Sequence, residues 1–410
     1  MREMKNSGIP WIGEVPSHWR IESIGSCIKE VNNKNTNNDE DNALQFKMGT
    51  IISKKGGDSK YNPETLEAYN KVQRGDIIIN GLNLSFDFIS QRVGLVNEDG
   101  VITSAYLAVR PLEFISSEYL TYLFKGYDSC KALHSMGKGL RQTLGYKEFR
   151  KYNVLFPSLP EQKAIADFLD KKCAEIDEMI ALQEKIVEEL KAYKQSVITE
   201  VVTKGLNPDV PMKDSEVKCI GRIPAHWDVK SLRFVFHNLD YLREPISAEQ
   251  RERKNPIYDY YGASGVIDTI DYYNVDDTVL LIGEDGANLR MRNLPLIYKA
   301  SGKFWVNNHA HILKPISDDY DYMAMLLEAL DYSDFITGSA QPKLSQDNLK
   351  KVRLCIPPLN EQKDIASFLN EKCREIDNLI SIKLSKIDSL NEYKKSIIYE
   401  YVTGKKEVTE

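Results

Sequence analysis

Three stretches carry the side chains with the most evident chemistry. "MGKGLRQTLGYKEF" (136–149) offers Lys138, Arg141, Gln142 and Lys147, and "TGSAQPKLSQDNL" (337–349) offers Gln341, Lys343 and Ser345. "NLRMRN" (288–293) adds Arg290 and Arg292. Side chains of these types hydrogen-bond base edges or hold phosphates, and glycine lets a backbone approach its partner closely. The chemistry indicated is nucleic-acid recognition, with these nine residues as candidate contacts. For each loop the alternative is a plain surface turn before a strand.

The net charge of −6 over 410 residues runs against that reading, because nucleic-acid binders are usually basic. Its distribution matters more than its total. Residues 124–151 hold seven Lys and Arg against Asp128 and Glu148, a local +5. Residues 288–303 hold a local +4 with no acid, and residues 339–353 a local +3. Solvated surface charge would look the same for any one cluster.

Catalytic chemistry finds little support. "NPIY" (255–258) resembles part of the N-P-P-Y motif of amino-methyltransferases but lacks the second proline. No glycine-rich strand–turn–helix precedes it, and no G-x-x-x-x-G-K-[ST] loop occurs anywhere. His309 and His311 alternate along one strand and could pair as metal ligands. No third ligand stands near, so they read as core or DNA-facing residues. The six cysteines include no C-x-x-C pair, which disfavours a zinc site or a disulfide framework. No catalytic residue, metal or cofactor is expected.

The elements that position these residues are written twice. "IGEVPSHW" (12–19) returns as "IGRIPAHW" (220–227), and "LPEQKAIADFLDKKCAEID" (159–177) as "LNEQKDIASFLNEKCREID" (359–377). From Leu169 the apolar positions step by alternating fours and threes: Leu169, Cys173, Ile176, Ile180, then Val187, Leu190, Val197 and Val201. This is the spacing of a coiled-coil seam. Its polar interruptions, Gln183 and Lys194, match Lys383 and Lys394 in the second copy, as expected if they pin register. Each helix covers about 40 residues, or roughly 60 Å. Two such helices in a duplicated chain most simply pack antiparallel, with the globular segments at opposite ends.

Between the repeats, residues 20–155 and 228–355 follow one plan: short β runs, an amphipathic helix ("SSEYLTYLFKGY", "SDDYDYMAMLLEALD"), then the basic loop. The expected fold class is α+β. Two mixed α/β domains, 1–157 and 206–357, are separated by two long helices, 158–205 and 358–410. The helices are expected to form an antiparallel coiled coil, giving internal pseudo-twofold symmetry; the alternative is that each packs against its own domain. No run approaches the ~18 apolar residues of a membrane span, and the first residues lack the apolar core of a signal peptide. A cytoplasmic protein with no membrane partner is expected.

The doubled Pro-His-Trp box, the "LPEQKAIADFLD" and "LNEQKDIASFLN" helices and the linker "TKGLNPDVPMKDS" resemble the DNA-specificity subunit of type I restriction–modification enzymes. "GVITSAYLAVRP", "YYGASGVIDTID" and "FWVNNHAHILKP" are similar to phrases in that family's target-recognition domains. The resemblance implies a non-catalytic subunit in which each target-recognition domain reads one half of a bipartite site in double-stranded DNA. It also implies that two modification (methyltransferase) subunits dock on the helices and that restriction (motor-nuclease) subunits join them. An autonomous sequence-specific binder is the other reading, and partner dependence separates the two.

Overall fold

The computed structural model describes residues 2–54, 63–217, 220–247, 257–338 and 341–408. Cys219, Asn255, Pro256, Ser339 and Ala340 lie outside them. Two compact units result, Met1–Glu184 with Ser385–Glu410, and Lys185–Leu384.

In the first unit, β1 (Met4–Asn6) and β2 (Glu14–Pro16) form a ribbon, followed by β3 (Arg20–Ser23) and β4 (Ile28–Glu30). Next come β5 (Leu44–Lys47), β6 (Thr50–Ser53), β7 (Asn70–Val72), β8 (Ile77–Ile79), β9 (Val93–Leu95), β10 (Gly100–Ile102) and β11 (Leu107–Pro111). Helices α1 (Ser117–Ser129), α2 (Ala132–Met136) and α3 (Tyr146–Phe149) and strand β12 (Asn153–Phe156) lead into the long helix α4 (Leu159–Lys204). The central sheet is antiparallel, in the order β4-β11-β8-β9. β8 reads Ile-Ile-Ile because both its faces are covered. Ile77 and Ile79 join the main core with α1, whereas Ile78 joins a second cluster with Val31, Leu44 and Ala108. Such a strand has no solvent face and so no alternation. The apolar run 44–52 is a hairpin of β5 and β6, turning at Met48 and Gly49, both of positive φ, as a tight two-residue turn requires.

The second unit opens with the ribbon β13 (Met212–Asp214) and β14 (Arg222–Pro224), then β15 (Asp228–Ser231) and β16 (Phe236–Asn238). β17 (Tyr258–Gly262), β18 (Gly265–Ile270), β19 (Val275–Gly283), α5 (Gly286–Met291), β20 (Ile297–Val306) and β21 (Ala310–Pro315) follow. Helix α6 (Tyr320–Ala329), the hairpin β22 (Ile336–Thr337) and β23 (Lys343–Leu344), α7 (Gln346–Leu349) and β24 (Arg353–Ile356) precede α8 (Leu359–Val402). The sheet order is β16-β21-β19-β20-β17-β18. Its first four places repeat the order of the first unit, and β17–β18 is an addition at the edge. β19 is again covered on both faces, with Leu280 and Ile282 in one cluster and Val279 and Leu281 in another.

The repeated phrases clasp the long helices. Buried Trp19 donates from Nε1 to Glu161 in the first turn of α4 at 2.9 Å, and His18 Nε2 lies 3.2 Å from the same carboxylate. Gly404 ends α8 at φ +69°, and a Cβ there would stand 2.4 Å from Pro16 and 3.1 Å from Trp19. The second unit repeats this with His226 2.8 Å from Glu361. Gly205 ends α4 at φ +76° against Trp227. Glycine therefore serves twice at each helix end, as the left-handed cap and as the gap that admits the box. Each box holds the start of the helix that follows its own domain and the end of the other.

The next residue, Gln162 or Gln362, fixes the domain helix. Gln162 Oε1 accepts from the N–H of Ser116, the N-cap of α1, and Gln362 Oε1 from the N–H of Asp319, the N-cap of α6. Buried Tyr119 and Tyr322 donate their hydroxyls to Leu155 O and Cys355 O, which ties each domain helix to the strand that precedes a long helix.

Within each unit the two long helices run antiparallel, as expected. In the first, Ile397, Ile398 and Val402 enter the core with Ile165, Leu169, Cys173 and Ile176, and Lys394 pairs with Asp177 at 2.6 Å. In the second, Val202 packs with Ile365 and Leu369, and Lys194 pairs with Asp377 at 2.7 Å. Two of the four polar seam positions, Lys194 and Lys394, thus carry interhelical ion pairs.

Candidate nucleic-acid interface

In both units the basic loop is a hairpin docked on the segment that leaves the central strand. In the first, Lys138 and Thr143 exchange backbone hydrogen bonds at 3.1 and 2.9 Å. Gln142, at φ +44°, closes the turn onto Gly139 O at 3.0 Å. Leu144 is the anchor: it is buried, and its N–H donates to Gly81 O at 2.9 Å, just past β8. Lys138, Arg141, Gln142 and Lys147 are left on the surface. Lys138 lies 3.5 Å from Glu148. Arg141 and Lys147 have no hydrogen bond or ion pair with a described residue, so both cations are available to a ligand.

In the second unit Thr337 and Lys343 pair across β22 and β23. Leu344 is buried and its N–H donates to Glu284 O at 3.0 Å, just past β19, the same docking as Leu144 on Gly81. Gln341 is exposed, as is Arg290 on α5. Lys343 Nζ sits 2.9 Å from Glu284, whose carboxylate also lies 3.7 Å from Arg243 and 3.8 Å from His309. Ser345 caps α7, its Oγ accepting from Asn348 N at 3.3 Å, so its hydroxyl already has a structural task.

Arg292 differs from the other candidates. It is half-buried at φ +52°. Its guanidinium donates to Glu328 O at 2.7 Å and to Leu330 O, at the carboxyl end of α6. Helix ends leave carbonyls without partners, and Arg292 serves them. Its charge is committed to the fold.

The two histidines read as a possible metal pair part company. His309 is exposed. His311 is buried, its Nε2 donating to Leu344 O at 2.8 Å and its Nδ1 2.6 Å from Asp240. Asp240 also accepts from Ile312 N at 2.9 Å. Burial pushes the Asp240 carboxyl up. The His311 hydrogen bond and charge, the Ile312 N–H and Arg243 outweigh it and hold the group below its ordinary range. The pair thereby fixes the anchor residue of the second hairpin.

One segment of the first unit was not singled out from sequence, the loop between β8 and β9. Arg92, fully buried, donates to the carbonyls of Asn80, Leu82 and Asp87 at 3.0, 2.9 and 2.6 Å. Leu84 N–H donates to Gln142 O at 3.2 Å, which joins this loop to the hairpin. The signal was the run "NLSFDFISQ", apolar at alternate positions yet unpaired as a strand. Among the described residues, no group of three His, Cys, Asp or Glu side chains could hold a metal ion, and no helix is long and apolar enough to cross a membrane.

The duplicated frame thus presents two unlike loop rims, each off the end of an equivalent central strand. Residues 224–392 match the family described as "Type I restriction modification DNA specificity domain". Over 95% of its length the chain is 25% identical to the type I restriction enzyme MjaVIII specificity subunit of Methanocaldococcus jannaschii, covering 93% of that protein. It is 24% identical to the StySPI specificity subunit of Salmonella potsdam over 70% of this chain and 65% of that one. The fold matches a chain solved for complex assembly and conformational transition of the type I R-M system, with a TM-score of 0.71 and 14% identity, covering 95% of this chain and 99% of that one. It also matches the HsdS subunit of Thermoanaerobacter tengcongensis, with a TM-score of 0.50 and 15% identity, covering 95% and 98%. Residues 224–392 carry that specificity domain, and over most of its length the chain is similar to type I restriction–modification specificity subunits.

Proposed function

We propose that domains 1–157 and 206–357 are target-recognition domains, each reading one half of a bipartite site in double-stranded DNA. The chain then lends this specificity to separate enzymes and catalyses nothing itself. The observation that carries the reading is one rim geometry built twice with different side chains: Leu144 on Gly81 with Lys138, Arg141, Gln142 and Lys147, and Leu344 on Glu284 with Gln341, Lys343 and Arg290. Duplicated mounts with unlike readers suit a site of two unlike halves.

Two modification subunits dock on the long helices in this proposal, restriction subunits join them, and helix length sets the spacer. Exposed apolar positions recur at one offset on α4 and α8: Met179 with Leu379, Leu182 with Ile382, and Tyr193 with Tyr393. Uncovered apolar surface on a soluble protein marks an interaction site, and its repetition fits two copies of one partner.

The test is two double variants, Lys138→Ala with Arg141→Ala and Gln341→Ala with Lys343→Ala, in the complex with modification subunits. Each is expected to alter one half of the methylated motif read from genomic DNA. A lost phosphate contact lowers the salt slope of binding by about one for every sequence. A lost base contact relaxes a single position, at ~1–3 kcal/mol. If both variants keep the wild-type motif, affinity and salt slope, the hairpins are ordinary surface.

A further inference from the structure

The loop between β8 and β9 presents apolar side chains that the fold does not cover. Phe86 is 75% exposed, Phe88 54% and Ile89 88%. Single exposed apolar residues need no explanation, but three within four positions do. The loop that bears them is firmly held. Arg92 gives up water entirely to bind three of its carbonyls, a burial that costs free energy unless the partners are fixed. Asp87 turns its carboxylate inward on its own loop. The Ser90 N–H and hydroxyl, with help from the Ile89 N–H and the Arg92 charge, hold its pKa down to about 2. Buried His134 reaches Asp87 O at 3.0 Å and stacks on Phe88, ring centroids 4.8 Å apart. Lys131 donates to Phe88 O. Bare apolar tips on a braced mount are therefore built to meet something.

Charge says what. The loop is bonded through Leu84 to the hairpin of Lys138 and Arg141, and through Lys131 to a stretch with a local charge of +5. An apolar tip flanked by cations fits nucleic acid, where the cations meet phosphates and the tip enters between bases. The corresponding loop of the second unit, between β19 and β20, folds into α5 and carries no aromatic residue.

We propose that Phe86, Phe88 and Ile89 form a wedge that unstacks one base step in the half-site read by the first unit, so that this half is recognised partly by how easily it deforms. The inference rests on the DNA-reading function proposed above. The experiment uses the full chain with its modification subunits and a short duplex carrying the motif found by sequencing methylated host DNA. 2-Aminopurine is placed at successive steps of the duplex. The wild type is expected to raise its fluorescence several-fold at one step of the first half-site only. The variant Phe86→Ser, Ile89→Ser, which removes the two most exposed tips and leaves Phe88 stacked on His134, is expected to lose that rise and to bind about tenfold more weakly. A mismatch at the same step, which unstacks the bases in advance, is expected to restore its affinity. Wild-type-like binding by the variant, or no fluorescence change at any step, overturns the wedge. So does a variant that keeps DNA binding but no longer retains the modification subunits, since the tips then face protein. A wild-type complex that fails to bind the duplex at all overturns the DNA-reading proposal itself, and the wedge with it.

Discussion

The two loop rims stand on equivalent strand ends yet are braced by opposite means. In the first unit a buried cation, Arg92, gathers three carbonyls of the loop after β8. In the second a buried acid and histidine, Asp240 and His311, hold the carbonyl of Leu344 in the hairpin itself. The difference teaches where each rim tolerates change. The frame is fixed by packing on both sides, so its residues recur. The rim needs only some buried group to satisfy its backbone, so each domain has found its own.

Breaking the brace of each rim should separate them most. Arg92→Met removes a donor from three loop carbonyls in a buried site, of which Asp87 O keeps His134 while Asn80 O and Leu82 O lose theirs. It is expected to cost ~3–5 kcal/mol, as removal of one member of a buried charged network does. Denaturant unfolding of the complex-free chain measures it. Arg92→Lys is expected to recover only part of the loss, because a single ammonium does not reproduce the fork whose two nitrogens serve these carbonyls.

His311→Leu is expected to cost ~2–3 kcal/mol, chiefly because Asp240 and the Leu344 carbonyl stay buried with fewer partners. It also carries a pH signature. The Asp240 carboxyl is held below its unfolded range, so the stability it contributes is fully present above about pH 4 and is lost as pH falls through the folded value. The variant should show a shallower loss on acidification than the wild type. An unchanged acid profile would mean that His311 does not govern this carboxylate.

How much of this was legible beforehand follows the same divide. The long helices, their antiparallel packing and their polar seam were readable because they depend on local spacing, repeated at Leu169 and Leu369 and at Lys194 and Lys394. The common order β4-β11-β8-β9 was not, since register between strands tens of residues apart leaves no local mark. Among the candidate contacts, Arg292 looked like its neighbour Arg290. Only the fold brings the end of α6, 36 residues on, against its guanidinium. The loop of Phe86 and Phe88 left no usable mark: apolar alternation by itself is a strand pattern, and nothing local reveals that it pairs with no strand among the described residues. Asp240 was missed for a related reason. A lone acid in a polar sequence reads as surface until His311, 71 residues away, closes on it.

The clasps offer a gentler comparison. Glu161 accepts from Trp19 Nε1 and pairs with His18, and Arg2 stands 3.6 Å away. Glu361 pairs with His226, while Trp227 Nε1 has no partner among the described residues. Glu161→Ala therefore strands a buried indole N–H, and Glu361→Ala does not. The first is expected to cost ~1–2 kcal/mol more than the second. Equal losses in thermal unfolding would show that the histidine contact, common to both, carries the clasp.

The smallest effect belongs to the ion pairs between the helices, and it tests whether they set register or merely decorate it. Lys194 reaches both oxygens of Asp377 at 2.7 Å in the second unit, and Lys394 reaches both of Asp177 at 2.7 and 2.6 Å in the first. The aspartates are exposed, so water screens the attraction, and each pair should be worth only ~0.2–1 kcal/mol by double-mutant cycle. Stability alone would then barely register their loss. Register is a stricter reporter. With Lys194→Asp alone, two carboxylates face each other at the crossing point, and the helices can avoid them only by sliding or parting. Adding Asp377→Lys restores opposite charges in the same place. The single variant is expected to weaken assembly with the modification subunits, and the swapped pair to recover it within about twofold, the scatter such exposed pairs show. Recovery without the second substitution would mean that apolar seam residues such as Leu169 and Leu369 fix the alignment alone.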